Sequence, residues 1–325
     1  MSQRSVVPFT KYHGTGNDFF IVDADTPLQN RSAFARKHCD RDTGTVVDGR
    51  RGADGVLFLD IESTEEPTRV NMTLVQPDGS TAAMCGNGAR CVAAWAHDRT
   101  GETEFMIDTE AGTRHATLQP AAGDAAAAAD AADAADADGA TDADAADAAA
   151  DTDTDRYHVE IEMGEPAFDP ARVPVENDEE FVERDLDGFT VTAVNTGVPH
   201  AVAFVDDVEE VDIDDAAEPI RHADVFPDGA NVNFASRVRT AESTAPPTFD
   251  QRTFERGVEG ETRSCGTGAV AVAAAASHLG LADGETIRTR PPGGELETTI
   301  PASGPATLAG PVVRDGAGEL GAVDQ

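Results

Sequence analysis

The stretch MCGNGARCVAAWA at residues 84–96 has a near copy in SCGTGAVAVAAAA at residues 264–276. Each copy contains a cysteine, a Gly-x-Gly and an alanine-rich run of helical character. A second repeat accompanies the first, because GTGN at residues 14–17 and NTG at residues 195–197 stand at matching distances upstream of the two cysteines. The chain is therefore predicted to be a duplicated unit, with one cysteine on each side of a cleft between two pseudo-two-fold-related halves.

Two cysteines placed in this way suit the inversion of a carbon stereocentre. Without a cofactor, inversion needs a base that removes a proton from one face of the carbon and an acid that returns one to the other. A helix N-terminus lowers the pKa of a thiol from about 8.5 toward the working pH. The backbone N–H groups of each Gly-x-Gly can hold a carboxylate and stabilise charge on it. Cys85 and Cys265 are therefore the predicted proton carriers.

Other interpretations of the cysteines are weaker. Buried core thiols or a structural disulfide are the ordinary fate of four cysteines in a chain of this length. A zinc site is disfavoured because Cys85 and Cys91 are six residues apart and no C-x-x-C occurs. The repeated Gly-x-Gly after a cysteine favours an anion-binding site over packing. Cys39 and Cys91 lack that setting and are expected to be structural.

Several further motifs resemble one known family, that of the diaminopimelate epimerases, in order and spacing over nearly the whole chain. They are HGTGNDF at 13–19, DGS at 78–80 leading to CGNGARC at 85–91, GVPH at 197–200, NVNF at 231–234, and ERG at 255–257 leading to ETRSCGTGA at 261–269. The resemblance implies an α+β fold of two homologous halves, each a mixed sheet wrapped around a central helix. It also implies that Cys85 and Cys265 interconvert LL- and meso-diaminopimelate in lysine biosynthesis, without pyridoxal phosphate or metal.

The resemblance assigns roles to other residues of the chain. His200 is similar to the residue that supports the first thiol, and Glu255 to the one that supports the second. Groups that hold the reacting carboxylate or ammonium, or the distal end of the substrate, match a larger set: Asn17, Gln76, Gly86, Asn87, Asn231, Glu255, Arg256, Gly266 and Thr267. In that set Arg256 is the expected fork for the distal carboxylate.

The chain departs from the common family pattern at four points. Gln76 stands where an asparagine is usual, Gly55 where many members have glutamine, and Val198 where many have asparagine. The segment from Glu255 to Cys265 is one residue longer than in many members. Because valine cannot donate or accept a side-chain hydrogen bond, one distal contact must be lost or replaced.

Composition limits the partners. The net charge is −37, from 24 basic and 61 acidic residues, and the only lysines are Lys11 and Lys37. Such a surface excludes nucleic acid as a partner and resembles proteins of salt-loving cytoplasms, where counterions screen self-repulsion. No signal peptide or membrane-spanning run is evident, so we expect a cytosolic enzyme with a small-molecule substrate and no membrane partner. A homodimer is left open.

The predicted organisation has four parts. An N-terminal half covers residues 1–120, and a C-terminal half covers 156–305. Between them, 121–155 contains eleven Asp among alanines and no Lys, Arg or aromatic residue, which predicts a disordered acidic linker. The tail, 306–325, begins with a weak strand that can pack back on the first half. Strands are predicted at 6–12, 19–23, 56–61, 70–75, 105–109, 157–163, 189–195, 201–205 and 306–314, and helices at 87–98 and 267–279.

Two other functions compete with the epimerase hypothesis. A proline or hydroxyproline racemase would share two cysteines and a duplicated fold, but Glu255, Arg256 and Asn231 suit a longer substrate with a second charged end. A non-enzymatic redox module would join Cys85 and Cys265 in a disulfide and would exchange no substrate protons.

Overall fold

The computed structural model describes residues 6–64, 66–120, 156–176, 179–239 and 245–323. The predicted acidic linker, 121–155, lies outside the described residues. Within them, four α-helices and nineteen strands form. The helices are α1 Arg31–Cys39, α2 Gly86–Thr100, α3 Ile213–Arg221 and α4 Gly266–His278. None of these helices is long and apolar enough to cross a lipid bilayer.

The strands fall into two series that the helices interrupt at matching points. The first series is β1 Val6–Gly14, β2 Asn17–Asp23, β3 Val46–Val47, β4 Arg50–Arg51, β5 Gly55–Glu62, β6 Thr68–Val75, β7 Thr81–Ala82, β8 Glu104–Thr109, β9 Gly112–Pro120 and β10 Arg156–Gly164. The second is β11 Arg184–Leu186, β12 Phe189–Asn195, β13 Pro199–Phe204, β14 Asn231–Arg237, β15 Thr248–Glu255, β16 Gly260–Thr262, β17 Thr286–Arg290, β18 Leu296–Thr299 and β19 Ala306–Gly321.

Strand pairing confirms the predicted duplication. In the first half β2–β5 and β6–β8 are parallel while β5–β6 and β8–β9 are antiparallel. In the second half β13–β14 and β15–β17 are parallel while β14–β15 and β17–β18 are antiparallel. The same order of directions, with α2 and α4 at equivalent places, makes each half a mixed sheet of one topology. The predicted fold class is therefore confirmed.

Each half closes on itself around one helix. The first ring runs β1–β2–β5–β6–β8–β9–β10–β19 and returns to β1. The second ring continues from β19 through β18, β17, β15, β14 and β13 to β12. A bridge between Ala167 and Asn195 then links β12 to the segment after β10. The rings share the β10–β19 ladder.

Each predicted central helix lies inside its ring. Helix α2 contacts the eight strands of the first ring, and α4 contacts the strands of the second. Every residue of α2 from Gly86 to Ala96 is buried, and α4 is buried from Gly268 to Ala276. Alanine predominates in both because a helix enclosed on all sides leaves little room for large side chains. Trp95 and Arg90 of α2 are the large exceptions, and Trp95 fills the core of the first ring.

The stretches that flank residues 121–155 belong to one ladder. Strand β10 pairs with β9 and closes the first ring, just as β19 pairs with β18 in the second. Strand β19 in turn pairs with β1 over Val313–Gly321. The division of the chain at 121–155 into two folding units stays a prediction.

Candidate active site

The two repeated cysteines occupy the same position in the two halves. Cys85 is the N-cap residue of α2 and Cys265 is that of α4, each with extended backbone. The Sγ atom of Cys85 accepts a hydrogen bond from the backbone N–H of Gly88 at 3.4 Å, and that of Cys265 accepts one from Gly268 at 3.4 Å. Each sulfur therefore lies at the positive end of a helix.

The N-terminal ends of α2 and α4 meet where the two rings join. A Cβ atom added to Gly266 would lie 3.5 Å from the Cα of Gly86 and 3.0 Å from Cδ2 of Leu308 on the shared strand β19. Glycine at these positions lets the two helix ends approach closely. The two N-cap thiols are brought to one junction for the same reason.

Cys39 and Cys91 lie elsewhere. Cys91 is fully buried in the core of the first ring, and Cys39, the last residue of α1, is fully buried in a separate apolar cluster. All four cysteines are free thiols. Neither caps a central helix. Burial raises the pKa of Cys39 to about 12 and raises that of Cys91 as well.

The expected lowering of the two candidate thiol pKa values is wrong for this structure. Burial raises the pKa of Cys85 to about 11, although the N–H groups of Gly88 and Asn87 oppose it. Burial also raises the pKa of Cys265, and the negative charge of Glu255 adds to the rise. Loss of hydration therefore outweighs the helix ends at both sulfurs.

Glu255 lies within electrostatic reach of both thiols, since its charge raises the pKa of each. Its own pKa is raised by burial and by the nearby carboxylate of Asp54. The resemblance assigned Glu255 to the second thiol. The structure places it at the junction that both thiols share.

His200 is completely buried on β13. The amide nitrogen of Asn233 lies 2.9 Å from its Nδ1, and that of Asn231 lies 3.5 Å from its Nε2. Burial, with a contribution from the positive charge of Arg256, lowers the pKa of His200 to about 3. His200 is therefore a neutral imidazole near pH 7.

Asn17 and Asn87 are joined directly across the first half. The Nδ2 of Asn87 donates to Oδ1 of Asn17, and Nδ2 of Asn17 donates to Asp54 at 3.1 Å. The Oδ1 of Asn87 accepts from Arg90 at 2.5 Å. Hydrogen bonds thus connect Arg90, Asn87, Asn17 and Asp54 in a row, which we call the polar chain.

Asn231 and Arg256 form a second connected pair. The Oδ1 of Asn231 accepts from the backbone N–H of Arg256 at 2.7 Å. The Nη1 of Arg256 donates to the carbonyl oxygens of Asp228 at 3.1 Å and Gly229 at 3.3 Å. The guanidinium is therefore anchored to a loop that sequence analysis did not single out.

Thr267 and Gln76 make local contacts. The Oγ1 of Thr267 lies 3.4 Å from the Cys265 sulfur, and its carbonyl accepts from Thr196 at 2.9 Å. The Oε1 of Gln76 accepts from Ser80 at 2.8 Å within a turn. The amide oxygen of Gln76 is thus used inside its own turn.

The departure at Gly55 has a packing reason. A Cβ atom at Gly55 would come within 2.6 Å of Cδ1 of Leu74 and 3.0 Å of the Val75 carbonyl. A glutamine does not fit here with Leu74 as it stands.

Val198, another departure from the family pattern, uses its backbone instead of a side chain. Its carbonyl accepts from the backbone N–H of Thr196 at 3.2 Å.

Sequence reasoning missed three residues of this site: Thr15, Arg90 and Asp54. Thr15 lies 3.0 Å from Ser264 through their hydroxyl oxygens and so joins the first half to the residue before Cys265. Arg90 and Asp54 end the polar chain of Asn17 and Asn87. An arginine in a run otherwise suited to a buried helix was the available signal. Across the described ranges, no group of three or more His, Cys, Asp and Glu side chains is placed to hold a metal ion.

The duplicated rings, each closed around one central helix, define a fold class that solved epimerases and isomerases share. A hydroxyproline epimerase from Agrobacterium vitis, solved with bound trans-4-hydroxy-L-proline, has this fold with a TM-score of 0.58 at 16% identity, over 100% of this chain and 95% of that one. A methylitaconate-delta-isomerase has the same fold with a TM-score of 0.57 at 13% identity, over 98% of this chain and 96% of that one.

Within that class, a sequence model of the family "Diaminopimelate epimerase" matches residues 9–133 and 192–314. Diaminopimelate epimerase of Methanothrix thermoacetophila is 38% identical over 94% of this chain and 92% of its own length. That of Archaeoglobus fulgidus is 35% identical over 85% of this chain and 83% of its own length. The chain belongs to the diaminopimelate epimerase family.

Proposed function

We propose that the chain epimerises LL-diaminopimelate to meso-diaminopimelate in lysine biosynthesis, with Cys85 and Cys265 as the two proton carriers. The observation that carries this proposal is their equivalence, because each thiol caps one central helix and the two helix ends meet at Gly86 and Gly266. The family match supports the substrate.

The reaction needs one thiolate and one thiol. The thiolate removes the Cα proton from one face, and the opposite thiol delivers its proton to the other, so the two sulfurs exchange states in each turnover. Backbone N–H groups at Gly86, Asn87, Gly266 and Thr267 hold the reacting carboxylate. Charge that develops on this carboxylate in the carbanion is stabilised by both helix ends.

The remaining residues take supporting roles in the proposal. Neutral His200 serves the first thiol and Glu255 the second. Asn17 and Glu255 lie near the reacting ammonium, whereas Asn231, Gln76 and Arg256 serve the distal end. In this proposal the enzyme binds a small-molecule substrate and uses no cofactor. It works in the cytoplasm.

One alternative has an observation in its favour. The fold is shared with a hydroxyproline epimerase, so a cyclic amino acid is the second candidate substrate. Arg256, anchored beside Asn231, argues against it, because proline has no second charged end for a guanidinium to bind.

The test is incubation with LL-diaminopimelate in deuterated, salt-rich buffer. We expect meso-diaminopimelate to form, with deuterium at the inverted carbon of the product before it enters the remaining substrate. Deuterium entering both pools at one rate would contradict two separate proton carriers. Turnover of L-hydroxyproline without turnover of diaminopimelate would favour the alternative, and a Cys85–Cys265 disulfide with no exchange would favour the redox module.

A further inference from the structure

Arg90 is a buried cation whose hydrogen-bond partners, within the part of the chain that the structure describes, are all neutral. It is fully buried in α2. Its Nη1 donates to the carbonyl of Pro311 at 3.1 Å, and its Nη2 donates to Oγ1 of Thr15 at 3.0 Å and Oδ1 of Asn87 at 2.5 Å. Its Nε has no hydrogen-bond partner in the described structure. Burial of a charge without a counter-charge is costly, so a role in packing alone does not explain it.

The surrounding chain makes room for this guanidinium. A Cβ atom on Gly310 would lie 2.3 Å from Nη1 of Arg90, and one on Gly14 would lie 3.5 Å from Nη2. The backbone of both β1 and β19 therefore approaches the guanidinium through a glycine. Helix α2 and strands β1 and β19 therefore together fix the position of Arg90 beside Asn87.

Asp54 ends the same polar chain with the opposite charge. One carboxylate oxygen accepts from Nδ2 of Asn17 at 3.1 Å and from the backbone N–H of Asp18 at 3.0 Å. The other accepts from Arg41 at 2.7 Å. The order of groups is therefore Arg90, Asn87, Asn17 and Asp54, from cation to anion.

The two charged ends determine how both amides are turned. A guanidinium can only donate, so Asn87 must present its oxygen to Arg90 and its nitrogen to Asn17. A carboxylate can only accept, so Asn17 must present its nitrogen to Asp54 and its oxygen to Asn87. Asn87 then keeps one spare N–H, and the oxygen of Asn17 keeps one spare lone pair.

We infer that Arg90 and Asp54 are positioning residues that set the polarity of this chain, so that Asn87 offers a donor to the reacting carboxylate and Asn17 an acceptor to the reacting ammonium. The inference rests on the proposed function, in which these amides contact an α-amino acid. Reversal of the chain would present an acceptor to the carboxylate and a donor to the ammonium, which is a mismatch at both groups.

The experiment compares alkylation of Cys85 by iodoacetate, which has a carboxylate, with alkylation by neutral iodoacetamide. The iodoacetate-to-iodoacetamide rate ratio, followed by mass spectrometry of the Cys85 peptide, reports carboxylate recognition whether or not the protein is an epimerase. The variants are Arg90→Gln, Arg90→Lys, Asp54→Asn and the double variant Arg90→Gln/Asp54→Asn. Asp108→Asn is the matched control, because Asp108 is also a partly exposed carboxylate paired with an arginine, at 2.7 Å.

An effect of charge alone and an effect of hydrogen-bond direction predict opposite changes in the iodoacetate-to-iodoacetamide ratio. If only charge mattered, Asp54→Asn would raise the ratio and the double variant would restore it to the wild-type value. We expect instead that Arg90→Gln and Asp54→Asn each lower it by about 5-fold, that the double variant lowers it at least as far, and that Arg90→Lys, which only donates, stays within about 2-fold. A double variant with the wild-type ratio would overturn the inference.

Two further outcomes are distinguishable. If the Arg90 variants do not fold, an Asp54→Asn ratio at or above that of Asp108→Asn overturns the inference, and one clearly below it supports it. If the wild-type protein shows the expected ratios but does not epimerise diaminopimelate, the proposed function fails while the positioning role stands.

Discussion

Pro120 and Tyr157 are paired in the antiparallel ladder of β9 and β10, although residues 121–156 separate them in the chain. The acidic segment therefore leaves and re-enters the first ring at one edge. The segment connects two paired strands, as the turn of a β-hairpin does. The ladder of β9 and β10 holds the residues on either side of it together.

Replacement of residues 121–155 by a short Asn-Gly turn should leave the turnover of diaminopimelate within about 3-fold of wild type. The ladder holds the two ends together, and a shorter loop lowers the entropy cost of closure. Initial rates and the thermal midpoint of the deletion variant check this. A loss beyond about tenfold in a folded variant would show that the segment acts on the site.

Cys85→Ala and Cys265→Ala should each abolish stereoinversion, by at least about 1,000-fold, without loss of the fold, because each thiol serves one face of the substrate carbon. The comparison variants are Cys39→Ala and Cys91→Ala, whose thiols lie in the core. Chiral chromatography of product, with circular dichroism for the fold, gives the answer. Near wild-type inversion by either of the first two variants would refute the two-thiol mechanism.

Gly268→Ala and Gly88→Ala should differ in stability although the positions are equivalent. A methyl group at Gly268 would lie 2.5 Å from Oδ1 of Asn233, whereas at Gly88 the nearest atom is Cβ of Cys85 at 3.4 Å. We expect Gly268→Ala to cost about 1–3 kcal/mol in free energy of unfolding, and Gly88→Ala to be neutral or stabilising by up to about 1 kcal/mol. Denaturant midpoints measure both, and equal costs would contradict the asymmetry.

Much of the site was predictable because its chemistry lies in contiguous motifs. A cysteine followed by Gly-x-Gly and an alanine run specifies an N-cap and a buried helix locally, and both α2 and α4 formed within two residues of the predicted bounds. Most of the predicted strands formed for a similar reason, since their alternation of apolar residues is local.

The rest depended on tertiary structure. Helix α3 was missed because Pro219 lies inside it, and a proline ordinarily interrupts a helical pattern. Strand β15 was missed because Gln251 and Thr253 are buried polar residues bonded to each other, so it does not read as an apolar strand. The high thiol pKa values follow from burial at the junction of two rings, which no local pattern reveals.

His200 should make the protein less stable as pH falls below 6.5. Its pKa is about 3 in the folded protein and near 6.5 when unfolded, so the unfolded state binds more protons between these values. Stability is then fully present above pH 6.5 and is lost on acidification by about 1.4 kcal/mol per pH unit from this residue. His200→Gln should lose less stability between pH 7 and pH 5 than wild type in urea titrations. His222→Gln, at an exposed position, should behave like wild type, and identical losses in all three would show that His200 is not the cause.

Arg256→Ala and Arg256→Lys should each lower kcat/KM for diaminopimelate by on the order of 100-fold or more, since a charge-assisted bidentate pair in a desolvated cleft contributes about 3 kcal/mol. Lysine should not rescue the loss, because one ammonium cannot bond the carbonyls of Asp228 and Gly229 and fork a carboxylate in the same geometry. Arg237→Ala, which removes a guanidinium that donates to the carbonyl of Leu281, should have little effect.

The decisive comparison for Arg256 uses a substrate without the second carboxylate. Slow exchange of the α-proton of L-alanine in deuterated buffer requires the thiols and the helix ends but no distal anchor. If Arg256 positions the long substrate, its removal costs binding energy that would otherwise hold the reacting carbon between the sulfurs, and the exchange of alanine should change by less than about 3-fold. Equal losses for both substrates would mean that Arg256 holds the reacting carboxylate or the loop itself, and would favour a racemase of small amino acids over an enzyme for diaminopimelate.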